Sequence, residues 1–71
     1  MTYILDSIDK ITFNGSEYFD KLTFSADQDV KTTGLIFCTY QGIDYSVNIK
    51  SRFRLRLPWE VICKEYTMEI I

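Results

Sequence analysis

Lys50, Arg52, Arg54 and Arg56 fall at four successive alternate positions, and no other set of charged side chains in this sequence is so regularly spaced. On a β-strand such residues share one face and stand about 7 Å apart. Neighbouring like charges at that distance repel by roughly half a kcal/mol even in water, and the spacing lies within a Debye length at physiological salt. Acids must offset that cost, either within the protein or on something it binds. Glu65 and Glu69 share a parity that would let them face the basic residues from a neighbouring strand. An external partner would be an acidic protein surface or a nucleic-acid backbone, because the planar arginine fork makes bidentate contacts with carboxylates and phosphates alike. Phe37 and Trp59 are the aromatic side chains best placed in sequence to join such a contact, so the expected partner-binding set is Lys50, Arg52, Arg54, Arg56, Trp59 and Phe37.

Other chemistries find little support. The sequence has no histidine, which removes the ordinary base for a serine or cysteine nucleophile. Cys38 and Cys63 lie far apart with no CxxC spacing, so they read as core thiols rather than zinc ligands, nucleophiles or a disulfide framework. Asp27 and Asp29 lack a third ligand at EF-hand spacing, and three glycines form no phosphate-binding loop. The expectation is a protein that is not an enzyme and holds no metal or cofactor.

The basic residues sit on an acidic body. The 71 residues carry a net charge of −2, with Lys50 to Arg56 supplying four of the eight basic groups. Such a balance argues against general electrostatic binding of nucleic acid. With 46% hydrophobic and 25% charged residues the composition is that of one globular domain, residues 1–71, and its 15% aromatic content gives a small core large side chains to bury. No apolar run approaches the roughly 18 residues of a membrane span, and the opening residues lack a basic segment followed by an apolar one, so a reducing, cytoplasmic setting is expected.

The element that must carry the ladder is a long alternating stretch. Ile43, Tyr45, Val47, Ile49, Phe53, Leu55 and Leu57 hold one parity, interrupted only by Ser51, while the other parity is polar and then basic. Fifteen residues exceed an ordinary strand, so a bend or break is predicted near Lys50-Ser51, with Pro58 as terminator. Upstream, Leu35 to Tyr40 is rich in β-formers, and Gln41-Gly42 makes a two-residue turn. Counting from it opposes Tyr40 to Ile43, Cys38 to Tyr45 and Ile36 to Val47, which brings both apolar parities to one face; a slip by one residue would destroy the match. The second face then holds Leu35 and Phe37, which implies partial cover there too.

The remaining segments are less sharply patterned. Asn14-Gly15 predicts a hairpin turn between an Ile11 to Phe13 strand and a return strand from Glu17 to Ser25. In that return strand Tyr18, Leu22 and Phe24 share a face opposite Phe19. Residues Ala26 to Thr33 read as a polar loop with scope for mobility. After Pro58, the spacing of Trp59, Ile62, Cys63 and Tyr66 predicts a short helix or helical turn near Trp59, followed by a closing strand from Glu65 to Ile71.

The expected fold is therefore mainly β: a small antiparallel meander of about five strands, of a size that can curl into a small barrel, with one short helix or helical turn in the C-terminal third. The expected function is a small non-enzymatic protein-binding module that occupies a partner surface, in the manner of phage- or plasmid-type inhibitors of host or defence machinery, a likeness of size and style only. The alternative is a small-barrel nucleic-acid-binding protein whose basic strand face contacts phosphates. An open sheet edge would add a homodimer to the partners expected.

Overall fold

A computed structural model of the chain describes residues 2–13, 15–30, 34–52 and 57–71, with residues 13, 51 and 52 described through their backbone alone. Alternation dominates, and the result is five strands: β1 (Tyr3–Phe13), β2 (Glu17–Phe24), β3 (Leu35–Tyr40), β4 (Ile43–Arg52) and β5 (Glu60–Ile70). They close into a barrel in the order β1-β2-β5-β4-β3, with β3 returning to β1. This is not the expected simple meander. β5 inserts between β2 and β4, and the barrel closes through a parallel pair in which Tyr3, Ile4 and Leu5 oppose Cys38, Thr39 and Tyr40.

The β3–β4 hairpin takes the predicted register throughout, from Tyr40 opposite Ile43 to Leu35 opposite Asn48. Its turn has Gln41 at φ 52° and Gly42 at φ 81°, the paired positive angles that match the twist of a two-residue hairpin. Glycine adopts this conformation without strain, whereas Gln41 does so at a small cost. The β1–β2 hairpin is also formed, with Phe13 opposite Glu17, and β1 extends back to Tyr3 with a register shift between Leu5 and Ser7.

The expected helix near Trp59 is absent from the described residues. Leu57 to Trp59 form a turn closed by the Glu60 N–H on the Leu57 carbonyl at 3.1 Å, and β5 begins at once. The carbonyls of Pro58 and Trp59 accept instead from Val30 and Phe24, at 2.8 and 2.7 Å, so this backbone is spent on tertiary bonds that a helix would forgo. Val61, Ile62 and Cys63 are consecutive and all buried, which gives β5 cover on both faces there. That double burial erases the alternation and leaves a spacing that imitates a helix.

Inside the barrel Leu5, Leu22, Phe24, Val30, Ile36, Cys38, Val47, Ile49, Val61 and Cys63 form the core, with Tyr3, Ile8, Tyr40, Tyr45, Trp59, Tyr66 and Met68 packed around it. Phe24 meets Tyr3 edge to face, with ring centroids 5.8 Å apart and planes at 68°. The segment after β2 is tied down more firmly than its polar composition predicts. Val30 is fully buried, and the Gln28 side-chain amide both accepts from the Ile4 N–H and donates to the Ile4 carbonyl, each at 2.9 Å. The Ser25 N–H also donates to the Ile4 carbonyl, at 3.0 Å, so Gln28 shares that carbonyl with the chain end of β2 and supplies the acceptor for the Ile4 N–H; residues 31–33 of the predicted loop lie outside the described residues.

Candidate functional site

The long alternating stretch breaks where Ser51 interrupts its apolar parity. β4 and β5 pair regularly from Tyr45 opposite Ile70 to Ile49 opposite Tyr66, and then two register shifts follow in succession. Lys50 is the extra residue on β4, and Lys64 is the extra residue on β5. A bulge bends its strand and sharpens the local twist. Here the bend coincides with the end of β2–β5 pairing, whose last pair is Asp20 opposite Cys63.

The parted strands leave an open cleft of about 580 Å³ lined by Asp20, Lys50, Lys64, Glu65, Tyr66 and Thr67. Across its base the Tyr66 hydroxyl donates to Asp20 Oδ2 at 2.8 Å, linking β5 to β2 beyond their last backbone pair. Partial burial pushes the Tyr66 phenol well above the ordinary tyrosine range, and the hydrogen bond and negative charge of Asp20 add to the shift. A raised folded-state value means that the stabilisation is complete below about pH 10, where the unfolded tyrosine is still neutral, and is lost as pH rises further. Tyr66→Phe should therefore cost about 1 kcal/mol at neutral pH. In urea titrations across pH, the gap to the parent protein should close above about pH 10; a gap independent of pH would show that the bond to Asp20 does not carry the effect.

The predicted basic ladder is only partly in view. Lys50 is exposed, and Arg52 closes β4 opposite Cys63, but the double bulge separates the two, so the even spacing of a regular strand does not hold between them. Arg54 and Arg56 lie outside the described residues. Among the described residues the ion pair present is Lys21 with Glu60, at 3.6 Å, and neither Glu65 nor Glu69 makes one. The pairing expected of those glutamates with Arg52, Arg54 and Arg56 falls on side chains outside the described residues.

The aromatic members of the predicted set part company. Trp59 is half-buried and packs against the core, while its carbonyl holds β2, so its role is structural rather than that of an outward anchor. Phe37 does face outward, 42% exposed, and Leu35 beside it is 58% exposed. The partial cover expected on this second face leaves both side chains substantially exposed in the monomer. Ile4 on β1, which opposes Thr39, adds a third apolar side chain to the same outer surface and is 56% exposed. The directly opposed residues on β4 are Asp44, Ser46 and Asn48, and Asp44 accepts from the Thr39 hydroxyl at 2.8 Å. Lys50, the extra residue at the bulge beyond Asn48, lines the cleft. The outcome is an apolar centre of Ile4, Leu35 and Phe37 with a polar border of Asp44, Ser46 and Asn48.

Ile4 and Leu35 were not in the predicted set. Leu35 was visible as an apolar residue on the wrong parity for the core, whereas Ile4 joins the patch through the parallel β1–β3 pair, for which the sequence carries no local signal. Both cysteines are fully buried, and burial pushes the Cys38 thiol above its ordinary value, against nucleophilic use. No cluster of three metal-ligating side chains occurs among the described residues, and none of their elements is a helix long and apolar enough to cross a membrane. No family description, curated protein or solved structure matches the chain.

Proposed function

We propose that the protein is a non-enzymatic binding module that occupies an acidic surface of a protein partner through the outer face of β1, β3 and β4. The observation that carries this reading is the exposure of Ile4, Leu35 and Phe37 together on one side of a barrel that already has a filled core. Apolar side chains grouped in this way leave a favourable burial term that the monomer does not use. Lys50, exposed at the β4 bulge, and the three arginines that follow it in sequence supply positive charge that steers association and selects an acidic partner more than it adds affinity. Covering a working surface of that partner would inhibit it without any chemistry.

A single-strand nucleic-acid binder is the competing reading, favoured by Phe37 as a stacking surface and by the two bulged lysines, Lys50 and Lys64. Fluorescence anisotropy with a labelled oligonucleotide, titrated in salt, and capture of partners from nuclease-treated lysate separate the two. The module reading expects weak oligonucleotide binding and a captured protein whose retention falls in the Arg52→Glu, Arg54→Glu, Arg56→Glu triple variant. Tight oligonucleotide binding with a steep salt slope, abolished in that variant, would overturn it.

A further inference from the structure

We infer that the free edge of β5, from Tyr66 to Ile70, is a self-association surface on which a second copy of this chain adds its own β5 antiparallel, centred on Met68 opposite Met68 of the second copy. The inference starts from backbone direction. The Ile71 N–H donates to the Asp44 carbonyl, so Ile71 and Asp44 form a hydrogen-bonded antiparallel pair, and the adjacent pair, Ile70 with Tyr45, turns its groups away from the shared ladder. The same alternation applies to Met68 opposite Val47 and to Tyr66 opposite Ile49. It is confirmed from the other side of β4, where the Ile49 N–H points to β3 and donates to the Gly34 carbonyl at 2.9 Å.

The N–H and C=O groups of Tyr66, Met68 and Ile70 therefore point toward the side on which β2 would lie. β2, however, stops pairing with β5 at Asp20 and Cys63, before the Lys64 bulge. Among the described residues, three residues of backbone are left as an open edge, a template for strand addition. Apolar side chains crowd the same end of the sheet: Ile70 is 69% exposed, Ile71 72% and Ile43 42%.

The sequence of the edge is self-complementary in one register. With Met68 opposite Met68 of the second copy, Tyr66 opposes Ile70 and Ile70 opposes Tyr66, all three being residues whose backbone groups face the edge. On the antiparallel pattern these pairs supply about six inter-chain hydrogen bonds. The inward-facing side chains then make aromatic to β-branched and methionine to methionine pairs, and on the other face Glu69 opposes Thr67. A register centred on Thr67 also matches the backbone, but it sets Glu65 directly against Glu69 twice over, and like charges directly opposed disfavour it. A dimer formed here leaves the Ile4, Leu35 and Phe37 face open, so this surface and the proposed partner face are independent.

Sedimentation velocity from micromolar to millimolar concentration tests the inference on the full chain. The parent protein should pass from the 8.4 kDa monomer to a species of twice that mass. Met68→Pro removes an N–H that the β4 ladder does not use and places a ring on the edge, so it should stay monomeric at concentrations where the Met68→Ala control dimerises. Ile70→Lys, at an exposed position, should weaken dimerisation at least tenfold without lowering the melting temperature and covers the case in which Met68→Pro fails to fold. Phe37→Glu should dimerise like the parent, so a loss of partner capture in that variant speaks to the proposed function alone. A parent protein that is monomeric throughout, an Ile70→Lys variant that dimerises unchanged, or a dimer lost in Phe37→Glu would each overturn the β5 edge as the contact.

Discussion

Phe24→Ala is expected to cost about 3 to 5 kcal/mol, a large part of the total stability of a domain this small. Phe24 is among the largest of the fully buried side chains; it pairs with Leu5 across β1, meets Tyr3 edge to face, and its own N–H takes the Trp59 carbonyl that closes β5 against β2. Removing its ring empties the place where the β1–β2 and β2–β5 contacts meet, and a closed barrel cannot collapse one wall into the gap without shifting the others. Small barrels bury limited area, so little reserve remains to absorb the loss. Urea denaturation followed by circular dichroism should show the midpoint falling to near zero denaturant, or the variant unfolded outright. Phe37→Ala offers the same chemical change on an exposed face and should cost less than about 1 kcal/mol. Equal losses from the two variants would mean that the outer face of β3 is packed in solution, contrary to its exposure here.

The contrast between Phe24 and Phe37 also marks what the sequence makes legible. The β3–β4 register could be counted because two alternating runs flank a two-residue turn, and a slip by one residue would turn every apolar side chain outward. The break at Lys50-Ser51 could be placed because a serine interrupts an apolar parity where the strand is already too long. β5 was misread at its start because Val61, Ile62 and Cys63 are buried on both faces, and a strand covered on both sides has no period to detect. The parallel closure of β1 on β3 was invisible because it joins residues more than thirty apart in sequence through backbone groups, which leave no mark on side-chain pattern. For the site, the same limits apply: Phe37 follows from parity within one hairpin, whereas Ile4 enters the patch only through that long-range closure. Trp59 shows the opposite error, a side chain of interface type that the small core needs for itself.

The substitution with the largest expected effect on binding is Leu35→Glu together with Phe37→Glu. Both side chains are exposed, and the residues they oppose on β4, Asn48 and Ser46, are uncharged, so the two carboxylates add little beyond their mutual repulsion of about half a kcal/mol. The melting temperature should stay within a few degrees of the parent, as for surface changes of about 0.5 kcal/mol each. Binding should fall at least about 100-fold, since two central apolar anchors of about 2 kcal/mol apiece would be lost and two negative charges set against an acidic surface. The neutral pair Leu35→Ser and Phe37→Ser decides what kind of partner is involved. If the patch is the apolar centre of a protein interface, the serine variant loses nearly as much affinity as the glutamate variant, because burial rather than charge was removed. If a nucleic-acid single strand is the ligand, the serine variant loses the Phe37 stacking contact but keeps the steep salt slope set by the basic residues, whereas a protein interface loses its affinity with little change in a shallow slope. Isothermal titration of both variants at two salt concentrations gives the answer, and a serine variant that binds as tightly as the parent would rule out the outer face of β3 as the anchor.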